Sequence, residues 1–151
     1  MEEKGRLTVK KYVMLNEAWP HSYEKPSEKG YPEIFNLMDS WVLFFDNEPI
    51  GYTGSLDMGE FHFIGNTYIL PHYRKSGYHT FLLSERNNQL GLKPKITILN
   101  PIEESQMYHL VKVVQSLGYN PVYLYDDVKD IMSNKMYSSI FNPNQQIWRM
   151  N

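Results

Sequence analysis

The chain has 151 residues, of which 42% are hydrophobic and 21% are charged, with a net charge of −2 at pH 7. These values are typical of one globular domain, which we place at residues 1–151, and argue against a disordered chain. The balanced charge gives no reason to expect a nucleic-acid or membrane partner. The chain has no cysteine, which excludes disulfides, thiolate zinc sites and a cysteine nucleophile.

Localisation and metal content follow from what the sequence does not contain. The N-terminal stretch MEEKGRLTVK lacks the apolar core of a signal peptide, and the longest apolar run, WVLFF, is too short to span a membrane. We therefore expect a soluble, cytoplasmic protein. The five histidines show no ligand spacing, so no metal site is predicted.

In chain order, the apolar patterns predict a mixed α/β fold. A loop at 20–32 interrupts the pattern, and a hairpin turn is expected at Asn47–Pro49. The predicted strands are 7–15, 41–46, 50–57, 61–70, 95–99, 121–127 and 145–150. The predicted helices are 33–40, 76–90 and a segment from Asn100 to Leu117, with a further partly helical connection over 127–144.

The third predicted helix has the strongest end signals. Asn100 is a candidate N-cap with Glu103 at the capping-box position, and Gly118 is a candidate left-handed C-terminal cap. The strand–helix–strand segment over 61–99 predicts a right-handed crossover, which makes its two strands parallel neighbours. Gly65, inside the first of these strands, suggests a bulge or the close approach of another group.

The stretch ILPHYRKSGYHTFLL (69–83) places a basic turn between a strand and a helix. The first amides of a helix have no partner inside the helix and lie at the positive end of its dipole, so such a turn can bind an anion. Arg74 and Lys75 add positive charge, and Gly77 allows a ligand to approach the main chain. A solvated turn with no ligand would use the same residue types.

The longer stretch TYILPHYRKSGYHTFLL resembles the acyl-coenzyme A signature of the GNAT superfamily of N-acetyltransferases. In that family a strand ending in an apolar-x-Pro-x-Tyr pattern leads into Arg/Gln-x-x-Gly-x-Gly/Ala and then a helix with a Leu-Leu pair. The matching residues here are Ile69, Pro71, Tyr73, Arg74, Gly77, Leu82 and Leu83. His79 occupies the last Gly/Ala position, where its ring could crowd a phosphate, point away from it or donate a hydrogen bond to it.

The resemblance covers most of residues 41–125, including QSLGYNPV at 115–122. It implies a central, mostly antiparallel mixed sheet of six to seven strands with helices on both faces and one parallel pair splayed around the cofactor. It also implies acetyl-coenzyme A as acyl donor and Leu70 N–H as the donor to the thioester oxygen. The implied cofactor-binding residues are Ile69, Leu70, Arg74, Lys75, Ser76, Gly77, His79, Thr80 and Asn100, the last of which is equally explained as a helix cap.

The catalytic residues of that family are not matched here. Val114 stands where many members have a Tyr that acts as the acid, and the family's basic Glu on the fourth strand has no clear counterpart. Glu60, His62 and Tyr108 are weak substitutes. His62 is equally explained as an ordinary strand residue, and Tyr108 and His109 as helix-surface residues.

Three hypotheses remain open from the sequence. The first is an acetyl-coenzyme A-dependent N-acetyltransferase for a small-molecule or peptide amine, with a homodimer as one expected arrangement. The second is a GNAT-like module without catalysis, used for binding or structure, and the third is an unrelated α/β domain that binds another phosphate ligand. The acceptor is expected to contact segments 16–40 and 127–144, with Tyr23, Tyr31, Trp41 and Tyr137 as candidate lining residues.

Overall fold

The structure, a computed structural model, describes residues 6–20, 38–99, 104–140 and 145–151, with no account of the side chains of Asn66 and 104–107. The chain packs as two compact units. The first contains Met1–Leu56 and Gly65–Gly91, and the second contains Asp57–Ile64 and Leu92–Asn151. The expectation of one domain over 1–151 stays a prediction.

The described residues form a seven-stranded sheet with the order β1-β2-β3-β4-β5-β7-β6. The strands are β1 (Leu7–Tyr12), β2 (Asp39–Phe45), β3 (Glu48–Asp57), β4 (His62–Ile69), β5 (Lys95–Leu99), β6 (Asn120–Val122) and β7 (Gln146–Met150). The helices are α1 (Tyr78–Leu90), α2 (Glu104–Ser116) and α3 (Asn134–Ile140). The order of the predicted strands is therefore confirmed.

The parallel crossover is also confirmed, because β4 pairs parallel to β5 and α1 connects them. The neighbouring pairs β1–β2, β2–β3, β5–β7 and β6–β7 are all antiparallel. The sheet is therefore mixed and mostly antiparallel, as the sequence predicts.

Three predicted segments were wrong in part. Residues 33–37 of the first predicted helix lie outside the described residues, but Asp39 and Ser40 belong to β2. The first strand ends at Tyr12 because Leu15–Glu17 forms a 3-10 turn, and the strand predicted at 121–127 ends at Val122 because Tyr125–Asp127 forms another. A short apolar run does not fix where a strand ends, and neither of these 3-10 turns has a buried residue.

The β2–β3 hairpin turns one residue earlier than predicted. Asp46 and Asn47 have φ values of 49° and 68°, the left-handed backbone that a two-residue hairpin turn requires. Asp46 Oδ1 also accepts a hydrogen bond of 2.8 Å from Arg6 N–H. Pro49 lies inside β3, where a shift in register between Leu43 and Phe44 accommodates it.

Among its described residues, the first unit has two apolar clusters that include residues of β2 and β3. One contains Trp41, Leu43, Ile50, Ile69 and Leu82. The other contains Trp19, Val42 and Tyr52, with the Trp19 and Tyr52 rings edge-on at 4.9 Å. Alternate residues of β2 therefore enter different clusters, as the period of two in a strand requires.

The second unit has its own core around β5 and β7. Its buried members are Phe61, Ile96, Val122, Val128, Ile131, Met132 and Ile147. Gly118, with φ +92°, follows α2 as the predicted left-handed residue. The capping box predicted for Asn100 and Glu103 lies outside the described residues.

Candidate functional site at the end of strand β4

A turn of unusual backbone conformation connects β4 to α1. After Ile69 the chain makes a 3-10 turn at Pro71–Tyr73, and Lys75 then takes φ +66°. Gly77 takes φ +80° and forms the N-cap of α1 without a side-chain capping bond. Left-handed backbone is accessible to glycine without steric cost, so Gly77 fixes where the helix begins.

Several amides at the start of this turn already have partners. Leu70 N–H donates to Ile50 O at 2.8 Å, Tyr73 N–H donates to Leu70 O at 2.9 Å, and Arg74 N–H donates to Pro71 O at 3.3 Å. The role expected for Leu70 N–H as donor to a thioester oxygen is therefore wrong, because that hydrogen bond holds β4 to β3.

Ile69, which precedes Leu70, directs its backbone groups to the other edge of β4. Successive residues of an extended strand direct their backbone groups to opposite sides. Because Leu70 N–H is directed at β3, the backbone groups of Ile69 are directed at the opposite edge of β4. Arg74 Nε donates to Ile69 O at 2.8 Å, which agrees with this assignment. Ile69 N–H is thus a donor directed at this edge.

Arg74 folds back over the end of β4. Besides its bond to Ile69 O, its guanidinium carbon lies 5.0 Å from the centroid of the Tyr68 ring. The residue is nevertheless exposed, so its terminal nitrogens remain accessible to a ligand. Arg74 therefore supplies charge to the turn and also fixes the strand end to it.

The rest of the turn is open. Lys75, Ser76, Gly77 and Thr80 are exposed, and His79 is half-buried. A Cβ added to Gly77 would meet no atom within 4 Å. Phe81 N–H is the first helical donor to a carbonyl of the turn, Gly77 O, at 3.0 Å. The amides before it belong to the first turn of a helix, where donors lack intrahelical acceptors.

The edge of β4 changes its pairing at Gly65. The parallel register with β5 runs from His62↔Lys95 to Ile64↔Thr97. β4 continues beyond that register to Ile69. A Cβ built on Gly65 would meet no atom within 4 Å, so the face of the strand is open at this residue. The expectation that Gly65 marks a bulge or the close approach of another group stays a prediction.

A buried polar network that is not predicted from the sequence lies beside this part of β4. Arg86, 2% exposed, donates from Nη1 to Thr53 Oγ1 at 2.6 Å, and Thr53 Oγ1 lies 2.8 Å from Thr67 Oγ1. Arg86 Nε also donates to Asn87 Oδ1 at 3.1 Å. One sequence signal could have identified these residues. Arg86 and Asn87 follow Leu82 and Leu83 at helical spacing, so they share the buried face of α1.

The candidate catalytic side chains all belong to the second unit. Glu60 is exposed. His62 is 9% exposed, and its backbone N–H donates to Pro94 O at 2.8 Å. Tyr108 is 64% exposed, with Lys112 Nζ 4.6 Å from its ring centroid. Val114 is buried. Their catalytic roles stay predictions, and Asn100 lies outside the described residues.

Asp57 lies three residues before Glu60 in the sequence. Its carboxylate accepts hydrogen bonds from Lys93 Nζ at 2.6 Å and from Gly59 N–H at 2.8 Å. The bond from Lys93 is the main reason that the pKa of Asp57 lies below its ordinary value, and the bond from Gly59 N–H acts in the same direction. Asp57 is therefore an ionised, paired carboxylate and a poor proton acceptor.

The residues expected to line an acceptor site are placed as follows. Trp41 is 3% exposed and donates from Nε1 to Ser55 Oγ at 2.8 Å, so it is a core residue. Tyr137 is half-buried, with its ring 5.7 Å from that of Tyr125. Tyr23 and Tyr31 lie outside the described residues.

Within the described ranges, no three His, Cys, Asp or Glu side chains are grouped to hold a metal ion. The described helices also include none that is long and apolar enough to cross a membrane.

No protein-family model and no curated protein sequence matches the chain. Solved structures match over nearly its whole length. An IAA acetyltransferase from Bacillus cereus is 17% identical, with a TM-score of 0.61, 96% of this chain covered and 99% of that one. A Bacillus subtilis acetyltransferase in complex with CoA is 14% identical, with a TM-score of 0.62 and coverages of 98% and 99%.

A GNAT family acetyltransferase from Elizabethkingia anophelis with acetyl-CoA bound is also 14% identical, with a TM-score of 0.63 and coverages of 96% and 97%. At these identities the likeness concerns architecture. It agrees with the mixed sheet and the β4–α1–β5 crossover described above, and with the resemblance found in residues 69–83. The chain therefore has the fold of the GNAT acetyltransferases.

Proposed function

We propose that the protein transfers an acetyl group from acetyl-coenzyme A to an amine. The observation that carries the proposal is the turn from Arg74 to Thr80, which places a left-handed glycine N-cap and an accessible guanidinium at the start of α1. Structures of the same fold are solved with CoA or acetyl-CoA bound, which supports the same donor here.

The diphosphate of coenzyme A would bind the amides of Lys75 to Thr80. Anions bind well at a helix N-terminus because the unpaired amides point at them and the helix dipole favours negative charge. Arg74 adds a charge that can bind a phosphate oxygen. The open space at Gly77 lets a phosphate approach the main chain.

The pantetheine arm would run along the edge of β4 like an added strand. Main-chain hydrogen bonds provide affinity in this kind of recognition without demanding particular side chains. With the arm in this position, Ile69 N–H would donate to the thioester oxygen and stabilise the negative charge that develops there during attack. This replaces the role first expected for Leu70.

The acceptor would attack the thioester directly. The amine must be neutral, and because a lysine-type amine has a pKa near 10.4, a base must take its proton at neutral pH. No covalent enzyme intermediate is needed, so the lack of cysteine is compatible with this reaction. Glu60 and His62 stay candidates for the base, and the acceptor's chemical identity stays open within amines.

Thermal unfolding with acetyl-coenzyme A tests the binding step. At a ligand concentration one hundred times the dissociation constant, binding stabilises the folded state by about 2.7 kcal/mol. Acetyl-pantetheine, which lacks the diphosphate, is the matched control and should give a much smaller shift. Absence of any shift at millimolar acetyl-coenzyme A would contradict the proposal, and thiol release over a panel of amines tests the transfer.

A binding module without catalysis is the second candidate. The buried Val114 favours it, because the side chain at the family's acid position packs in the interior and cannot transfer a proton. A thermal shift with acetyl-coenzyme A, together with no thiol release for any amine in the panel, would support this candidate over the transferase.

A further inference from the structure

The basic turn between β4 and α1 is flanked by two aromatic side chains. Tyr73 ends the 3-10 turn just before Arg74, and Tyr78 begins α1 just after Gly77. The centroids of the two tyrosine rings lie 6.3 Å apart. Residues 74–77 between them are all exposed, whereas both tyrosines are half-buried. The two rings therefore join the ends of an otherwise exposed turn.

A third ring, from β2, contacts both tyrosines. Phe45 is the last residue of β2, and its ring centroid is 5.9 Å from that of Tyr73 and 6.1 Å from that of Tyr78. All three separations fall in the range of about 4.5–7 Å that favours aromatic pairs. We call Phe45, Tyr73 and Tyr78 the aromatic triad. It attaches both ends of the turn to each other and to a strand of the sheet.

The aromatic triad is anchored in the core of the first unit. Its three residues are partly buried and pack against the apolar cluster that includes Trp41, Leu43 and Leu82. These three cluster members are 3%, 0% and 0% exposed. The triad therefore connects a well-packed core to the exposed turn.

The turn needs such a restraint because its backbone is strained. Lys75 has φ +66°, which is uncommon for a residue other than glycine, asparagine or aspartate. Among the described residues, the amides of Lys75, Ser76 and Gly77 donate to no backbone carbonyl. Strained backbone persists where the surrounding structure holds it in place. The ring contacts of the triad, together with the hydrogen bond from Arg74 Nε to Ile69 O, provide that restraint.

We propose that the aromatic triad pre-organises the turn for the diphosphate of coenzyme A. This inference rests on the function proposed above. The three residues are positioning residues, because they act through the amides of the turn and need not touch the ligand. A loop that already has its bound conformation loses less conformational freedom on binding, which raises the affinity.

The aromatic triad should matter for one part of the ligand only. In the proposed mode of binding, the diphosphate contacts the turn and the pantetheine arm contacts the edge of β4. Loss of a triad ring should therefore weaken the binding of coenzyme A and leave the binding of acetyl-pantetheine, which lacks the diphosphate, unchanged. A general packing defect would weaken both ligands.

Phe44 and Phe45 provide a matched pair of variants. They are consecutive residues of β2, both half-buried, but they pack in different apolar clusters. The ring of Phe44 lies 6.4 Å from that of Tyr12, on the side of the sheet away from the triad. Calorimetric titration with coenzyme A should show Phe45→Leu binding roughly 2- to 12-fold more weakly than the wild type, the change that corresponds to one aromatic pair. Phe44→Leu should keep the wild-type affinity.

Variants of the two tyrosines provide an independent test and a rescue. Tyr73→Leu and Tyr78→Leu should weaken coenzyme A binding as Phe45→Leu does. Tyr73→Phe and Tyr78→Phe keep the rings and should restore the wild-type affinity. Thermal unfolding without ligand verifies that each variant is folded at the titration temperature. Binding of acetyl-pantetheine to the same variants is followed by NMR chemical-shift changes, which measure weak affinities.

The outcomes separate this inference from the proposed function. If coenzyme A binds to the wild type and equally well to the three leucine variants of the triad, the inference is wrong and the proposed function stands. The inference is also wrong if Phe44→Leu loses as much affinity as Phe45→Leu, or if acetyl-pantetheine is weakened to the same extent. Equal losses in Tyr73→Phe and Tyr73→Leu would contradict it too, because the hydroxyl would then be the group that matters.

If coenzyme A does not bind to the wild-type protein, the proposed function fails and the role of the triad fails with it. A loss of coenzyme A affinity in the triad leucine variants, with rescue by phenylalanine and unchanged binding of acetyl-pantetheine, would support both.

Discussion

Replacing Gly77 by Asp gives the sharpest test of the diphosphate site. The residue is exposed, and a Cβ there would meet no atom within 4 Å, so the new carboxylate fits without a clash. It would stand beside the amides of the first turn of α1, where we place the diphosphate. The substitution therefore adds negative charge at the point where the ligand's own negative charge should bind.

The size of the effect follows from Coulomb's law. Two unit charges 4 Å apart repel by about 1 kcal/mol in water, and by more in a partly buried site. With about two negative charges on a diphosphate, a carboxylate at this exposed position should weaken binding by about 1–2 kcal/mol, or roughly 5- to 30-fold in Kd.

Gly77→Asn is the matched control, because it has the same shape as Gly77→Asp without the charge. Both variants must hold φ near +80°, which Asn and Asp tolerate better than most residues. Calorimetric titration with coenzyme A measures Kd, and thermal unfolding without ligand measures the backbone strain that the two variants share. Equal affinities for Gly77→Asp and Gly77→Asn would refute the placement of the diphosphate at this turn.

Three further predictions concern the strand, the turn and the ion pairs. Gly51→Ala should destabilise the fold by about 1–3 kcal/mol, because the new Cβ would lie 2.9 Å from Tyr68 O. Gly65→Ala should leave the free energy of unfolding unchanged and weaken coenzyme A binding, because a Cβ there meets no atom within 4 Å. Equal denaturation midpoints for the two variants would contradict this prediction. Arg74→Gln should weaken coenzyme A binding and reduce its dependence on salt, which titration at two ionic strengths measures. Arg149 lowers the pKa of Asp130 through a bidentate hydrogen bond. The pair contributes less than about 1 kcal/mol to the free energy of unfolding, because it is exposed. This stabilisation is present at a pH above the ordinary Asp pKa of about 3.9 and is lost as the pH falls from there through the lowered pKa of Asp130. Asp130→Asn should therefore show a flatter decline in acid unfolding than the wild type, and an identical decline would contradict the pairing.

Much of the sheet could be predicted from the sequence because local residue patterns mark its strands. Lys95–Leu99 is a short β-branched run and was predicted at its observed bounds. Gly118 needs a left-handed backbone and was predicted as a helix end for that reason. The first predicted helix failed over Asp39 and Ser40 because pairing with β3, a contact distant in sequence, outweighs the local pattern.

The site could be predicted to the level of a segment and no further. The basic turn stands out because glycine, proline and cationic residues occur together in ILPHYRKSGYHTFLL. The choice between the amides of Leu70 and Ile69 depends on which side of β4 faces β3, and that is set by the hydrogen bond from Leu70 N–H to Ile50 O. Likewise, Thr53 and Thr67 are ordinary strand residues until their hydroxyls are found 2.8 Å apart.

A cofactor site made largely of main-chain amides places unusual demands on a sequence. It requires backbone conformations, such as the left-handed Lys75 and Gly77, and a strand edge with available N–H groups, but it prescribes few side chains. Such a site would tolerate wide sequence change, and this chain is only 14–17% identical to the acetyltransferases whose fold it shares. The chemistry that does depend on side chains would then have to be supplied by other residues, because the buried Val114 cannot transfer a proton. Uncharged substitutions that preserve φ at residues 75 and 77 should therefore be tolerated for coenzyme A binding, which calorimetric titration measures.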